Sequence, residues 1–212
     1  ANPHLTIAGF AFDRDVVAVF PDMIKRSVPG YETIIAMTGT LADKYVTPGS
    51  RCYDLGSSLG ASTLAVAKNT LDRQRTLVAV DNSPAMVARC EHMLEHMKVG
   101  RDIELVCDDV QNIVIANASM VILNFTLQFI PVEQRERLIQ GIYDGLNPGG
   151  ILVLSEKVQF ADPQMDELMV ELHHNFKRAN GYSDLEISQK RTALENVLLR
   201  ETLDLHKQRL KT

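Results

Sequence analysis

A turn rich in glycine and serine, placed between a strand-like and a helix-like segment, is the part of this chain best suited to chemistry. It runs from Asp54 to Gly60 and has the sequence Asp-Leu-Gly-Ser-Ser-Leu-Gly. Glycine lets the backbone turn tightly with positive φ, and it places no side chain between the backbone and the polar groups of a ligand. We therefore expect a small-molecule site at Gly56, Ser57 and Ser58.

An acid closes the next strand-like segment and narrows the choice of ligand. The apolar run 76–80 ends in Asp81, about 20 residues after the turn, where an acid accepts both hydroxyls of a ribose. A phosphate-binding loop would need Gly-Lys-Ser/Thr, which is absent. A dinucleotide fingerprint would need Gly-x-Gly-x-x-Gly, but Ser58 stands between Gly56 and Gly60. Asp54 instead suits a cationic group, such as the amino group and sulfonium of S-adenosylmethionine.

The elements that must position these residues alternate between strand-like and helix-like from residue 51 onward. This alternation predicts an α/β fold, a parallel sheet with helices on both faces. We expect strands near 51–55, 76–81, 103–108, 119–124 and 151–155. Ligands of such sheets lie beyond the carboxyl ends of the strands. Polar residues at those ends are Asp54 with its turn, Asp81 and Asn82, Asp109 with Val110, and Asn124. The alternative for any one of them is a side chain that only caps a turn.

The chain is predicted to be a single domain with helical segments on either side of the sheet. We assign residues 1–50 to a helical lid, 51–156 to the Rossmann-like core and 157–212 to a helical extension. The turn Leu146-Asn-Pro-Gly-Gly150 should end a helix and restart a strand. No strand signal follows Leu154.

Two residues outside the core have both a structural and a functional interpretation. Arg191 interrupts an apolar stripe formed by Ile187, Leu194 and Leu198 on the predicted helix after Ser183. It is either a snorkelling arginine with its head in water or a fork that clamps a carboxylate. Tyr31 is either a lid aromatic packed on the core or a hydroxyl donor to a ligand carboxylate.

Composition excludes several classes of function. The net charge of −5 and the pI near 5.7 argue against a nucleic-acid partner, which is bound mainly through Lys and Arg. Three cysteines without a CxxC pair, no signal peptide and no apolar run near 20 residues favour reduced thiols in a cytoplasmic protein without a membrane segment. His92 and His96 are four apart but lack a third ligand, so we expect no metal.

Longer stretches of the chain resemble the carboxy-S-adenosyl-L-methionine synthases, which have the Rossmann-like class I methyltransferase fold. That fold normally closes with an antiparallel hairpin, which we expect to be missing here because no strand signal follows Leu154. The resemblance runs almost end to end, and its most specific parts are the last two stretches. The five stretches that carry the resemblance are Phe20-Pro-Asp-Met-Ile-Lys-Arg-Ser-Val-Pro-Gly-Tyr31, Asp54-Leu-Gly-Ser-Ser-Leu-Gly60, Val80-Asp-Asn-Ser-Pro-Ala-Met86, Asn117-Ala-Ser-Met-Val-Ile-Leu-Asn-Phe-Thr-Leu-Gln-Phe129 and Phe176-Lys-Arg-Ala-Asn-Gly-Tyr-Ser-Asp-Leu-Glu-Ile-Ser-Gln-Lys-Arg191.

The resemblance implies a reaction in which no methyl group moves. S-adenosyl-L-methionine and prephenate would give carboxy-S-adenosyl-L-methionine and phenylpyruvate, and the product would pass to an enzyme that carboxymethylates a wobble uridine of tRNA. It also implies a homodimer, with either the substrate or the carboxylated product bound. Carried over by position, the ligand contacts would be Tyr31, Gly56, Ser57, Ser58, Asp81, Asn82, Asp109, Val110, Asn124 and Arg191, and Arg191 assisted by Tyr31 would hold the transferred carboxylate.

Other functions remain open on sequence alone. The first alternative is an ordinary methyltransferase that uses the same cofactor pocket on a small molecule. A non-catalytic nucleoside-binding protein and an NAD oxidoreductase are further alternatives from other classes, although no residue for hydride transfer is evident.

Overall fold

The computed structural model describes residues 14–97, 102–195 and 197–211. The part of the predicted lid that precedes Arg14 lies outside them. The helices in these ranges are α1 (Arg14–Ser27), α2 (Tyr31–Tyr45), α3 (Ala61–Asn69), α4 (Pro84–Met97), α5 (Val132–Gly145), α6 (Pro163–Ala179), α7 (Asp184–Leu194) and α8 (Leu203–Arg209). The strands are β1 (Arg51–Leu55), β2 (Thr76–Asp81), β3 (Ile103–Cys107), β4 (Ala118–Asn124) and β5 (Leu146–Ser155).

The five strands form one parallel sheet in the order β3-β2-β1-β4-β5. The order reverses beside β1, because β2 pairs with one edge of β1 and β4 with the other. A crevice forms at such a reversal, outside the carboxyl ends of the strands, and it is the usual ligand site of open α/β sheets. The predicted α/β fold with a parallel sheet is therefore confirmed.

Strand residues alternate between two cores, one on each face of the sheet. Tyr53, Leu55 and Val121 pack on the side of α5, whereas Cys52 and Met120 pack on the side of α2 and α3. Since successive strand side chains point to opposite faces, the continuous apolar runs of β1, β2 and β4 require helices on both faces.

The start of β5 differs from the prediction. The strand was expected near 151–155 after a turn, but it begins at Leu146, which pairs with Ala118, and its next paired residue is Ile151, opposite Met120. The Pro-Gly-Gly segment between them is thus a bulge inside the strand, with Gly149 at φ 81°. A bulge accommodates the same turn residues without ending the pairing.

The helical extension packs back on the core rather than extending the sheet. After β5, the strand pairing among the described residues is an isolated bridge between Gln159 and Thr202. The predicted loss of a terminal hairpin, and the predicted role of residues 1–50 as a lid, stay predictions. In the described ranges, no helix combines the length and apolar character that a membrane crossing requires.

Candidate functional site

A cavity of about 730 Å³ opens at the carboxyl edge of the sheet. This volume lies within the range of small-molecule sites, about 300–1,000 Å³. Nine of the eleven residues proposed from the sequence line the cavity, which places strand ends, turn and α2 around one space. They are Tyr31, Gly56, Ser57, Ser58, Asp81, Asn82, Asp109, Val110 and Asn124.

The glycine turn is fixed to the end of β2 by backbone hydrogen bonds. The N–H groups of Gly56 and Ser57 both donate to the carbonyl of Val80 at 2.8 Å. Gly56 has φ 82°, and a Cβ there would lie 2.3 Å from Thr126 Oγ1. Two features therefore require glycine at this position, the positive φ and the lack of space for a Cβ.

Asp81 lies at the centre of the rim. Its carboxylate accepts one hydrogen bond from the Ser58 N–H and one from the Ser83 N–H, both at 2.9 Å. Burial raises the pKa of Asp81, and the two backbone donors oppose that shift. Each carboxylate oxygen keeps acceptor capacity toward the cavity, because an ionised carboxylate offers about four lone-pair sites. This geometry suits a ligand with two adjacent hydroxyls.

The neighbouring strand ends are linked through their side chains. The Asn82 amide donates to Asp109 Oδ1 at 2.7 Å, and Val110 is buried at the start of a short 3-10 turn. A polar acceptor beside an apolar side chain is the environment expected for the edge and face of a flat heterocycle.

Asn124 has most of its hydrogen-bonding capacity satisfied within the protein. Its amide donates to Ser62 Oγ at 2.9 Å, and its carbonyl oxygen accepts from Ser155 Oγ at 2.8 Å. Asn124 therefore ties α3 and β5 to the end of β4. Phe125, which follows it, has φ 60°, an uncommon angle for a residue with a Cβ.

Tyr31 begins α2 and faces the cavity. Burial, followed by the nearby charge of Asp54, raises the pKa of Tyr31 to about 12. The phenol is therefore a neutral hydrogen-bond donor near pH 7. In the part of the chain that the structure describes, its hydroxyl makes no hydrogen bond, so it is available to a ligand.

Asp54 departs from the expectation of a direct ligand contact. It is not among the cavity-lining residues, and its carboxylate accepts from both the Thr63 N–H at 2.9 Å and the Thr63 hydroxyl at 2.6 Å. Burial raises the pKa of Asp54 to about 6, although these two hydrogen bonds act to lower it. The side chain anchors the first turn of α3 instead of meeting the cavity directly.

Arg191 also departs from the expected arrangement within one chain. The helix that carries it ends at Leu194, so Leu198 lies beyond the helix and the predicted stripe is interrupted. Ile187 is buried, but Arg191 is exposed and borders a second, shallower pocket with Asp166 and Arg200. Arg191 does not line the main cavity of its own chain, although Phe160, Val170 and Arg200 line both pockets. Its predicted role stays a prediction.

Glu156 is a cavity residue that the sequence analysis missed. It directly follows β5, and its carboxylate oxygens accept from the N–H groups of Leu127 at 2.8 Å and Gln128 at 3.1 Å. Burial raises the pKa of Glu156 to about 7, while the backbone donors act in the opposite direction. Extending the strand-end rule from β4 to β5 would have found it.

Fold and site together define a class of protein. A parallel sheet in this order, a glycine turn after β1, an acid closing β2 and a cavity at the strand ends are the features of Rossmann-like, S-adenosylmethionine-dependent methyltransferase-fold enzymes. The residues present fit that ligand, since Asp81 has acceptor capacity for hydroxyls and Tyr31 has a neutral donor without a partner in the described ranges. No group of three or more metal-ligating side chains occurs among those residues.

Comparison with known proteins narrows the class. The methyltransferase-domain family matches residues 53–150. A carboxy-S-adenosyl-L-methionine synthase from Trichlorobacter lovleyi is 58% identical over 100% of this chain and 87% of its own. The protein of the same name from Escherichia coli O7:K1 is 52% identical over 98% and 84%. The chain therefore belongs to the carboxy-S-adenosyl-L-methionine synthase family and is a transferase-type enzyme.

A solved structure supports the fold independently of the sequence. An S-adenosyl-L-methionine-dependent methyltransferase from Methanococcus maripaludis superimposes with a TM-score of 0.58 at 20% identity, covering 91% of this chain and 88% of that one. At this identity the likeness concerns the fold alone.

Replacing Gly56 by alanine is expected to weaken binding of S-adenosyl-L-methionine by about tenfold or more, because the new methyl group displaces Thr126 from the turn. The matched control is Gly149→Ala, which has nearly the same φ of 81° but open space around the new Cβ. The control should lose about 1–2 kcal/mol of stability from the dihedral angle and keep its affinity. Calorimetric titration and urea unfolding measure both, and equal affinities of the two variants would contradict the steric explanation.

Glu156 is expected to make stability fall as the pH rises. Its pKa of about 7 in the folded protein exceeds the ordinary value of 4.5, so the folded state binds this proton more tightly. Its contribution is complete below the unfolded value and is lost as the pH passes through about 7, a change on the order of 3 kcal/mol. Urea unfolding between about pH 5 and 8 should show this slope reduced in Glu156→Gln and unchanged in the exposed control Glu136→Gln. An unaltered slope in Glu156→Gln would refute the assignment.

Proposed function

We propose that this protein converts S-adenosyl-L-methionine and prephenate to carboxy-S-adenosyl-L-methionine and phenylpyruvate. The observation that carries the proposal is that the polar strand-end rim and the Tyr31 hydroxyl, which has no hydrogen-bond partner among the described residues, line one cavity. The names of the relatives support the product. An ordinary methyltransferase is the alternative that the experiment below must exclude.

The chain's own residues would bind and orient the nucleoside. Asp81 would accept the ribose hydroxyls, Asp109 would accept the adenine amino group, and the Val110 N–H would donate to a ring nitrogen. Gly56 and the two serines after it would allow close approach of the ligand backbone. S-adenosyl-L-methionine supplies the methyl carbon that receives the carboxylate.

The reaction balances without another reactant. Prephenate loses its ring carboxylate and its hydroxyl on becoming aromatic, and the methyl carbon loses one proton. The products are therefore the carboxylated nucleoside, phenylpyruvate and one water. Tyr31, neutral near pH 7 because its pKa is about 12, would donate a hydrogen bond to the new carboxylate without adding a charge.

Arg191 would hold the same carboxylate from a second subunit. Its exposed position outside the cavity of its own chain leaves it free to reach the site of a partner. An apolar stripe on α6 supports pairing, since Met165, Leu168, Met169 and Leu172 are 44%, 45%, 40% and 50% exposed. These residues have the i, i+3, i+4, i+7 spacing of one helical face, and burying them requires another surface. We therefore propose a homodimer in which each subunit completes the other's site.

The product would be handed to a tRNA carboxymethyltransferase that modifies a wobble uridine. The net charge of −5 supports a division of labour in which this enzyme does not itself bind RNA. The three cysteines, all free thiols, support a reducing compartment and hence the cytoplasm.

The proposal is tested by incubating the purified protein with S-adenosyl-L-methionine and prephenate and analysing both products by mass spectrometry. We expect equimolar carboxylated nucleoside and phenylpyruvate, and neither product when prephenate is omitted. S-adenosylhomocysteine formed with a small-molecule acceptor would instead indicate an ordinary methyltransferase. Absence of any turnover, with the nucleoside bound, would indicate a binding protein.

A further inference from the structure

Three lysines from different elements line the same cavity as the strand-end rim. Lys157 follows β5, Lys177 lies in the last turn of α6 and Lys190 lies on α7. All three line the cavity and are partly buried. We call this group the lysine wall. Its members come from separate segments of the chain, and α6 and α7 pack against each other and against the end of α1.

Within the part of the chain that the structure describes, no carboxylate forms an ion pair with a member of the lysine wall. In the described ranges, the ammonium groups of Lys157 and Lys177 make no ion pair or hydrogen bond. Lys190 has only neutral partners there, Ser27 Oγ at 3.2 Å and the ring of Tyr182 at 5.9 Å. A polar or charged group removed from water without a partner is unfavourable, so this arrangement favours an anionic ligand.

Neighbouring charged groups do not supply the missing anion. The Glu156 carboxylate is held by the N–H groups of Leu127 and Gln128, and Asp166 is bound by Arg200 through two bonds of 2.9 and 3.1 Å. Burial, and then repulsion from Arg200 and Lys177, lowers the pKa of Lys157 to about 8. Burial, and then repulsion from Lys177, lowers the pKa of Lys190 to about 8. The lysines therefore repel one another, and a bound dianion would relieve that repulsion.

Aromatic side chains complete the wall. The cavity is lined by Phe20, Phe125, Phe129, Phe160 and Phe176. Such surfaces bind the faces and edges of unsaturated rings. A ligand that satisfies both the cations and the phenyl rings is a small carbocycle bearing more than one carboxylate.

We propose that Lys157, Lys177 and Lys190 form the subsite for the second substrate and recognise a dicarboxylate built on a six-membered carbon ring. This inference rests on the proposed function, because it assigns the binding residues for the carboxylate donor of that reaction. It places the two substrates on opposite sides of one cavity, the nucleoside at the strand ends and the dianion at α6 and α7.

The experiment replaces each lysine of the wall by methionine, which keeps the length of the side chain and removes its charge. We expect KM for prephenate to rise about tenfold or more in each variant, since each loses a charge-assisted contact. The Kd of S-adenosyl-L-methionine, measured without prephenate, should stay within about twofold of wild type. Thermal unfolding should occur at the same or a higher temperature, because a desolvated and repelled charge has been removed. Lys68→Met, on the exposed face of α3, is the matched control.

Two results would overturn the subsite. One is an unchanged KM for prephenate in all three variants. The other is an equal loss of affinity for S-adenosyl-L-methionine, which would assign the lysines to the nucleoside's own carboxylate. Failure of the proposed reaction is distinguished by titrating prephenate into the wild-type protein with S-adenosyl-L-methionine bound. Binding that requires the lysines but leads to no product would keep the subsite and reject the reaction.

Discussion

Arg191→Ala is expected to lower formation of the carboxylated nucleoside by about 100-fold or more while leaving the Kd of S-adenosyl-L-methionine unchanged. A guanidinium binds a carboxylate through two parallel hydrogen bonds, and this group would act only on the carboxylate that is transferred. The proposed nucleoside contacts lie on the rim, and Arg191 is not among the residues that line this cavity in its own chain. Single-turnover assays and calorimetry measure the two effects.

Two further variants control for charge and position. Arg191→Lys keeps the charge but loses the planar fork, so we expect only partial activity. Arg178→Ala removes another exposed arginine that borders the same shallow pocket and should retain activity. Full activity of Arg191→Ala would reject the clamp and favour the snorkelling interpretation.

Mixing two inactive variants reveals which subunit supplies Arg191. Asp81→Ala should be inactive because it loses the ribose contact. If Arg191 acts on the neighbouring subunit, a mixed dimer with Arg191→Ala contains one intact site, and random pairing restores about a quarter of wild-type activity. If Arg191 acts within its own chain, each site of the mixed dimer carries one defect and no activity returns.

Arg135→Leu is expected to lower the free energy of unfolding by about 3–5 kcal/mol, because it removes the more deeply buried of the two arginines that pair with the buried Glu201. Arg135 is fully buried, pairs with Glu201, and donates to the carbonyls of Ile130 at 2.9 Å and Leu199 at 2.9 Å. The substitution also removes the donor that Arg135 supplies to these two carbonyls. Urea unfolding measures the loss.

The control for Arg135 lies on the same helix. Arg137→Leu replaces an exposed arginine of α5 and should change stability by less than about 0.5 kcal/mol. Arg209 still contacts Glu201 at 2.7 Å, so a loss of less than about 1 kcal/mol in Arg135→Leu would mean that Arg209 alone compensates the carboxylate. A loss in the expected range would show that Arg135 fixes the helical extension to α5.

Local sequence patterns predicted the sheet well because they depend on neighbouring residues only. The uninterrupted apolar runs of β1, β2 and β4 indicated buried parallel strands, and their observed bounds agree within one residue with those expected. The bulge in β5 was missed because residues such as Pro148 and Gly149 occur both in turns between elements and in bulges within a strand.

The candidate site was only partly predictable. Parallel strands end at one edge, so Asp81, Asn82 and Asp109 had to lie near one another whatever the helices did. Asp54 obeys the same rule but does not line the cavity, and its carboxylate accepts two hydrogen bonds from Thr63 in the first turn of α3. No feature of the turn itself signals that contact.

By itself, the sequence determined the class of fold and the polar residues that end its strands, because strand positions and glycine spacing follow from short-range patterns. Only the tertiary structure decided that Lys157, Lys177 and Lys190 share one wall, that Arg191 lies outside its own cavity, and that Arg135 is buried. These relations depend on how α6 and α7 pack against each other and the end of α1, and on how the segment after Leu194 contacts α5. Packing between distant segments leaves no periodic signal in the chain, since each contact is set by shape and charge across the whole interface.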